Sequence, residues 1–290
     1  DVSDISLIYE TKIIQFLFHD HWFRLHQYCE KMGIEIIGDM PIYVGHDSVD
    51  VYANQNLFQL DVKGNMIYQG GAPPCKFQKN GQLWGTPVYK WENHEKNNFE
   101  WWKKRLRKLF EMVDIIRLDH FIGYANYYEI PIKNKTAHGG KWVQAPGYKL
   151  FNALQSTSID FKVIVEDLGD INNDVINLRE KYKFPGMHVL QFEFDNNLRS
   201  KKYPLNSLIC TGTHDNDTIV GWFESKDDNG LTKNKLLEYF KCTKSEIHWE
   251  IINYALGKES NMVVIPLQDI LGKGSSARFN IPGTLNLHNW

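Results

Sequence analysis

The stretch Asp114-Ile-Ile-Arg-Leu-Asp-His-Phe121 is where the fold becomes readable. Its apolar run, interrupted only by Arg117, ends on Asp119. The preceding segment, 98–113, carries Phe99, Trp102, Leu106, Leu109, Phe110 and Val113 at helical spacing. A helix followed by an apolar strand with a polar end is the signature of alternating α/β units. On this helix the basic run from Lys103 to Lys108 is expected to be the solvated face.

The same alternation extends in both directions. Upstream, a helix over 20–32 would place Trp22, Leu25, Cys29 and Met32 on one face, with Gly33 as its stop and Ile34–Ile37 as a strand. Downstream, a helix near 147–156 leads to strand Lys162–Glu166, and a helix near 173–182 leads through Pro185-Gly186 to strand Met187–Phe194. Strand Ser207–Thr213 follows. Thr243 and Glu246 then read as a capping box opening a helix through Ala255, and Met262–Leu267 is the last strand. Several of these six strands are continuously apolar, as strands of a covered parallel sheet are. The pattern fits either a doubly wound sheet or a (β/α)8 barrel lacking two strands. Residues 40–97 break the rhythm, with Gly70-Gly71, Pro73-Pro74 and Gly85, and are expected to form a long functional loop or small subdomain.

Bulk properties narrow the function classes. A chain of 290 residues suits one α/β barrel, and 42 % hydrophobic with 23 % charged residues is globular composition. A net charge of −2 offers no field that would recruit nucleic acid or an anionic membrane. No run of 18 apolar residues suggests a membrane span, and no signal peptide is recognisable. Cys29, Cys75, Cys210 and Cys242 are scattered, without a zinc spacing, which points to a reducing, cytoplasmic setting. The sequence starts at Asp1 without methionine and stops at Trp290, so it reads as a piece of a longer chain.

The expected strand ends carry the chemistry. Asp39, Asp119, Glu166, Asp195 and the pair His214-Asp215 all stand at or just beyond them. Acidic residues there often cap the next helix. Asp119 and Glu166, however, directly follow apolar runs and have further polar neighbours in Arg117, His120 and Asp167. Carboxylates converging at a barrel mouth suit glycosyl chemistry, in which one attacks or activates water and another, kept protonated, serves the leaving oxygen. A metal is not expected, because no HxH or HxxxH lies on any strand.

RLDHF (117–121), VEDLG (165–169) and GTHDND (212–217) resemble the three catalytic signatures of the 4-α-glucanotransferases, glycoside hydrolase family 77, within the α-amylase clan. GIEIIGDMPIYVGHDSVDVYAN (33–54), GQLWGTPVYKW (81–91), FPGMHVLQFEFD (184–195), VVIPLQDILG (263–272) and ARFNIPGT (277–284) also resemble family blocks, in the family's order. The resemblance implies an α/β TIM barrel, with residues 1–290 covering about strands 3 to 8 and 40–97 inserted after strand 3. It implies Asp119 as nucleophile, Glu166 as acid/base and Asp215 as transition-state stabiliser. Arg117 and His214 would hold the central sugar, with Asp39, Gln82, Trp84, Asp195 and Asn280 as further substrate contacts. It implies neither metal nor cofactor, and as partners maltooligosaccharides and other α-1,4-glucans, with glucose or maltose as acceptor. Three departures stand out. The family has a longer N-terminal part; Cys75 and Lys76 stand where it usually has an Asp-Tyr pair; and Ile122 stands where it usually has Arg. An α-glucan hydrolase and a glucan-binding remnant without turnover are the competing readings.

Overall fold

The computed structural model describes residues 5–75, 78–157, 161–194, 202–225, 231–284, 287 and 289. The chain divides into two compact units, residues 1–163 and 164–290. Ten strands are described: β1 (Ile37–Met40), β2 (Tyr68–Ala72), β3 (Gln82–Pro87), β4 (Ile115–Leu118), β5 (Asn126–Pro131), β6 (Lys141–Gln144), β7 (Val163–Val165), β8 (Gly186–Val189), β9 (Ser207–Cys210) and β10 (Met262–Val264).

In the first unit β1 and β4 pair in parallel with Ile37 opposite Ile115, and the Ile116 amide donates to the carbonyl of Lys162, so the start of β7 joins β4 on its other side. A separate antiparallel sheet has the order β3-β2-β5-β6. Gly71 is obligatory there, because a Cβ would stand 2.2 Å from the Gln82 carbonyl across the β2–β3 pair. Much of the unit's core is aromatic. Trp102 is fully buried, stacks on Trp91 at 5.8 Å and meets Trp101 edge-on at 5.2 Å. Such ring pairs stabilise beyond the area they bury.

The first helix runs Ile5–Lys31, longer than the expected 20–32. Gly33 at φ +70° ends it: Ile34 donates to the Cys29 carbonyl and Gly33 to that of Glu30, the two bonds of a Schellman cap. Trp22 Nε1 bonds the Met112 carbonyl and His26 the Asp114 carboxylate, which tie the helix to the start of β4. The Asp114 carboxylate also accepts the Ile36 amide at 2.7 Å, and β1 begins just after, at Ile37 rather than Ile34. The helix expected over 98–113 is shorter, Glu100–Phe110. Asn98 and Phe99, both in the left-handed region, separate it from a preceding short helix, Trp91–Lys96. Its basic run is not wholly solvated: Lys103 is buried, and the Arg105 guanidinium lies 5.3 Å from the Trp101 ring centroid.

In the second unit β8, β9 and β10 form a parallel sheet in the order β10-β9-β8. The strand expected over Met187–Phe194 stops at Val189, and Leu190–Glu193 is a helical turn. Leu190 and Phe194, four residues apart, both enter a core with Ile209, Ile219, Phe223, Ile247 and Ile251. A later helix is Ile247–Leu256; Thr243 bonds Glu246 Oε2 through both its amide and its hydroxyl, a turn that precedes the helix rather than its first turn. The expected strands Ser207–Thr213 and Met262–Leu267 are shorter, ending at Cys210 and Val264. Among the described residues no helix is long and apolar enough to cross a membrane.

Candidate active site

The first unit carries a candidate group of its own on the β1–β4 pair. Parallel register sets Asp39 beside Arg117. Asp119 immediately follows β4, its amide still donating to the Met40 carbonyl. Arg117 and Asp119, two residues apart on extended backbone, point to the same side. Arg117 Nη1 therefore bridges two carboxylates, at 2.6 Å from Asp39 Oδ1 and 2.8 Å from Asp119 Oδ1. A guanidinium between two anions offsets their mutual repulsion and fixes both by charge-assisted hydrogen bonds. Arg117 is mostly buried, whereas both carboxylates keep access to solvent.

His120 turns the chain sharply after Asp119, with φ at 48°, a region His enters more readily than most residues. Burial depresses its pKa to about 4, so the ring is neutral at physiological pH. The Trp84 ring meets it edge-on at 4.8 Å. Alternation along β3 puts Gln82 on the same side as Trp84, and Trp84 Nε1 donates to Gln82 Oε1 at 2.8 Å. Gly123 leaves this corner open, because a Cβ there would lie 3.1 Å from the His120 ring and 2.5 Å from Ile42. Asp39, Arg117, Asp119, His120, Trp84 and Gln82 thus form one connected group.

Glu166, in the second unit, directly follows β7, a strand whose three residues are all buried. Its neighbour Asp167 is buried and anchors the turn: Oδ1 accepts the Met187 amide at 2.8 Å, and Oδ2 takes a hydrogen bond from Arg179 Nη1. Gly186 makes room for that pair, since a Cβ would stand 2.6 Å from Asp167 Oδ2 and 2.8 Å from Arg179 Nη1. His214 and Asp215 lie in the loop after β9 rather than at the strand end itself. Asn280 Nδ2 donates to Asp215 Oδ1 at 2.6 Å, Arg278 Nη2 donates to the Asp215 carbonyl at 2.7 Å, and His214 Nε2 stands 3.5 Å from Asp215 Oδ2.

Two positions singled out from the sequence, Asp195 and Lys76, lie outside the described residues. Cys75 is exposed, and Ile122 is buried at the start of a helical turn. Sequence reasoning misses Arg278 and Arg179. Arg278 stands two residues before Asn280, and Arg179 lies in the helix Asn173–Lys181. Each reads locally as an ordinary surface charge, because nothing nearby says which carbonyl or carboxylate it will meet.

A family model described as 4-alpha-glucanotransferase matches residues 5–290. The 4-alpha-glucanotransferase of Streptococcus pneumoniae serotype 4 is 41 % identical over 291 residues, covering 98 % of this chain and 57 % of that protein. The Synechocystis 4-alpha-glucanotransferase is 42 % identical over 287 residues, covering 96 % and 56 %. Among solved structures, the amylomaltase from Streptococcus agalactiae in complex with acarbose superposes with a TM-score of 0.90 at 35 % identity, covering 96 % of this chain and 57 % of that one. The chain therefore spans about half the length of the curated relatives it matches. It has an α/β fold matching that of the solved amylomaltase.

Proposed function

Because the chain belongs to the 4-alpha-glucanotransferase family, we propose that it transfers a segment of an α-1,4-glucan to a new 4-hydroxyl by a retaining double displacement. The observation that carries this reading is Arg117 bridging Asp39 and Asp119, which gives a strand-end carboxylate a fixed counter-charge and a fixed direction. Asp119 attacks the anomeric carbon, and the departing 4-oxygen takes a proton from Glu166. Glu166, now a carboxylate, takes the proton from the acceptor's 4-hydroxyl as that oxygen attacks the same carbon and releases Asp119. Asp215 and His214 hold sugar hydroxyls as positive charge develops at the ring. Arg117, Asp39, Gln82, Trp84 and Asn280 complete the contacts, with Asp195 as a further one.

In this reading β1, β4, β7, β8, β9 and β10 serve as strands 3 to 8 of a (β/α)8 barrel, and 40–97 is an insertion after the third. The substrates are maltooligosaccharides and longer α-1,4-glucans, with glucose or maltose as acceptor, and the compartment is the cytoplasm. The chain's four free cysteines agree with a reducing setting.

Maltotriose offered to the full-length protein decides between this reading and its rivals. Glucose together with oligomers longer than maltotriose means transfer. Maltose and glucose alone mean hydrolysis. Unchanged maltotriose that nevertheless binds means a glucan-binding protein.

A further inference from the structure

Asp269 is a buried carboxyl that the chemistry above does not use. It sits in the short helix Leu267–Ile270. Its Oδ2 accepts the Thr211 hydroxyl at 2.7 Å, and its Oδ1 accepts the Ile219 amide at 2.7 Å. Thr211 directly follows β9, and Ile219 opens the next helix, Ile219–Glu224. These are the two ends of the loop 212–218, which carries His214 and Asp215. One carboxyl thus pins both ends of the loop.

The chain just beyond Asp269 grips the loop's interior. Ser275 Oγ donates to Asp217 Oδ2 at 2.7 Å, Arg278 Nη2 to the Asp215 carbonyl at 2.7 Å, and Asn280 Nδ2 to Asp215 Oδ1 at 2.6 Å. Gly221 is close-packed here, because a Cβ would stand 2.3 Å from Ser275 Oγ. A buried carboxylate is costly unless fixed donors meet it, and packing alone would be served as well by an apolar side chain.

We propose that Asp269 is a positioning residue for glucan transfer: by fastening both ends of loop 212–218, it holds the Asp215 carboxylate in place for the sugar. This rests on the transferase reading above. Asp269→Ala removes both acceptors. Asp269→Asn keeps one for Ile219 and can donate its amide to the Thr211 oxygen, so it should rescue.

The test uses the full-length protein with maltotriose as substrate. Asp269→Ala is expected to lower kcat about 10–100-fold with KM within about threefold, and Asp269→Asn to stay within about fivefold of wild type. Hydrogen exchange on the same proteins should show the amides of 212–219 exchanging at least about tenfold faster in Asp269→Ala, with helix Ile247–Leu256 unchanged. Thr211→Val, which removes one donor, gives the same loop-confined effect in smaller measure should the alanine variant not fold. Unchanged loop exchange, whatever happens to kcat, overturns the proposal, as does an asparagine variant as impaired as the alanine. A wild type without turnover sinks the transferase reading instead, while the exchange measurement still decides whether Asp269 holds the loop.

Discussion

As the proposed nucleophile, Asp119 needs a counter-charge and an aim, and the Arg117 guanidinium at 2.8 Å supplies both. Asp119→Asn keeps the size of the side chain but loses the carboxylate proposed as nucleophile. It is expected to cut turnover by more than about a thousandfold while maltooligosaccharide binding survives, measured in the full-length protein; activity within about tenfold of wild type rules out the assignment. Two histidines make a separate prediction about acid. Burial holds both His94 and His120 at a pKa of about 4, against 6.5 for an ordinary histidine. Between those values the unfolded chain takes up protons that the native chain refuses, so stability falls as pH drops from 6.5 towards 4. At about 1.36 kcal/mol per pH unit, the loss is on the order of 3 kcal/mol for each. His94→Gln, whose amide can still reach the Leu57 carbonyl, should flatten the dependence of the urea midpoint over that range. An unaltered slope would show that His94 does not titrate as described.

At the level of elements, the turn between β7 and β8 depends on a missing side chain. Gly186→Ala would push a methyl group against the Asp167–Arg179 pair, and is expected to cost roughly 2–4 kcal/mol in chemical denaturation. A loss below about 0.5 kcal/mol would mean the pair simply moves aside. Most of the parallel strands are readable in the sequence as short apolar runs, with Asp119 and Glu166 just beyond them, but at β1 the run Ile34–Ile37 meets the observed strand only at Ile37, and Asp39 lies inside it. Arg117 and Asp119 share a face through spacing alone. What escapes such a reading does so for physical reasons. The run 190–194 alternates like a strand, yet Leu190 and Phe194 serve one core face at helical spacing. In β5 four consecutive residues are buried, which leaves no alternation to detect. Asn280 meets Asp215 across 65 residues, and Asp269 is one acid in an apolar run; contacts of that kind leave no local mark.

For the whole molecule, exposed apolar surface decides its behaviour in solution. Helix Ile5–Lys31 buries none of its residues, and Ile13, Ile14, Phe16 and Phe18 are each more than half exposed. Within their own sheets β1 and β10 are edge strands. Such surface is prone to self-association. Expressed by itself, the chain of 290 residues is expected to associate in a concentration-dependent way and to lack maltotriose turnover; a monodisperse, cooperatively unfolding, active product by light scattering and calorimetry would refute this. The β1–β4 pair has a further consequence, for the order of assembly. Asp39 and Arg117 are 78 residues apart, whereas within the intervening chain Ala72 of β2 pairs with Gln82 of β3, a much shorter separation. Closing the longer loop costs roughly 1–2 kcal/mol more in chain entropy, and a hairpin already formed inside it shortens the stretch that must be brought round. The antiparallel pair is therefore expected to gain amide protection before β4 does in pulse-labelled refolding, and simultaneous protection would contradict that order. The β2–β3 pair then acts as a clasp made early, and the strand pair that bears Asp39 and Arg117 is drawn together by it late.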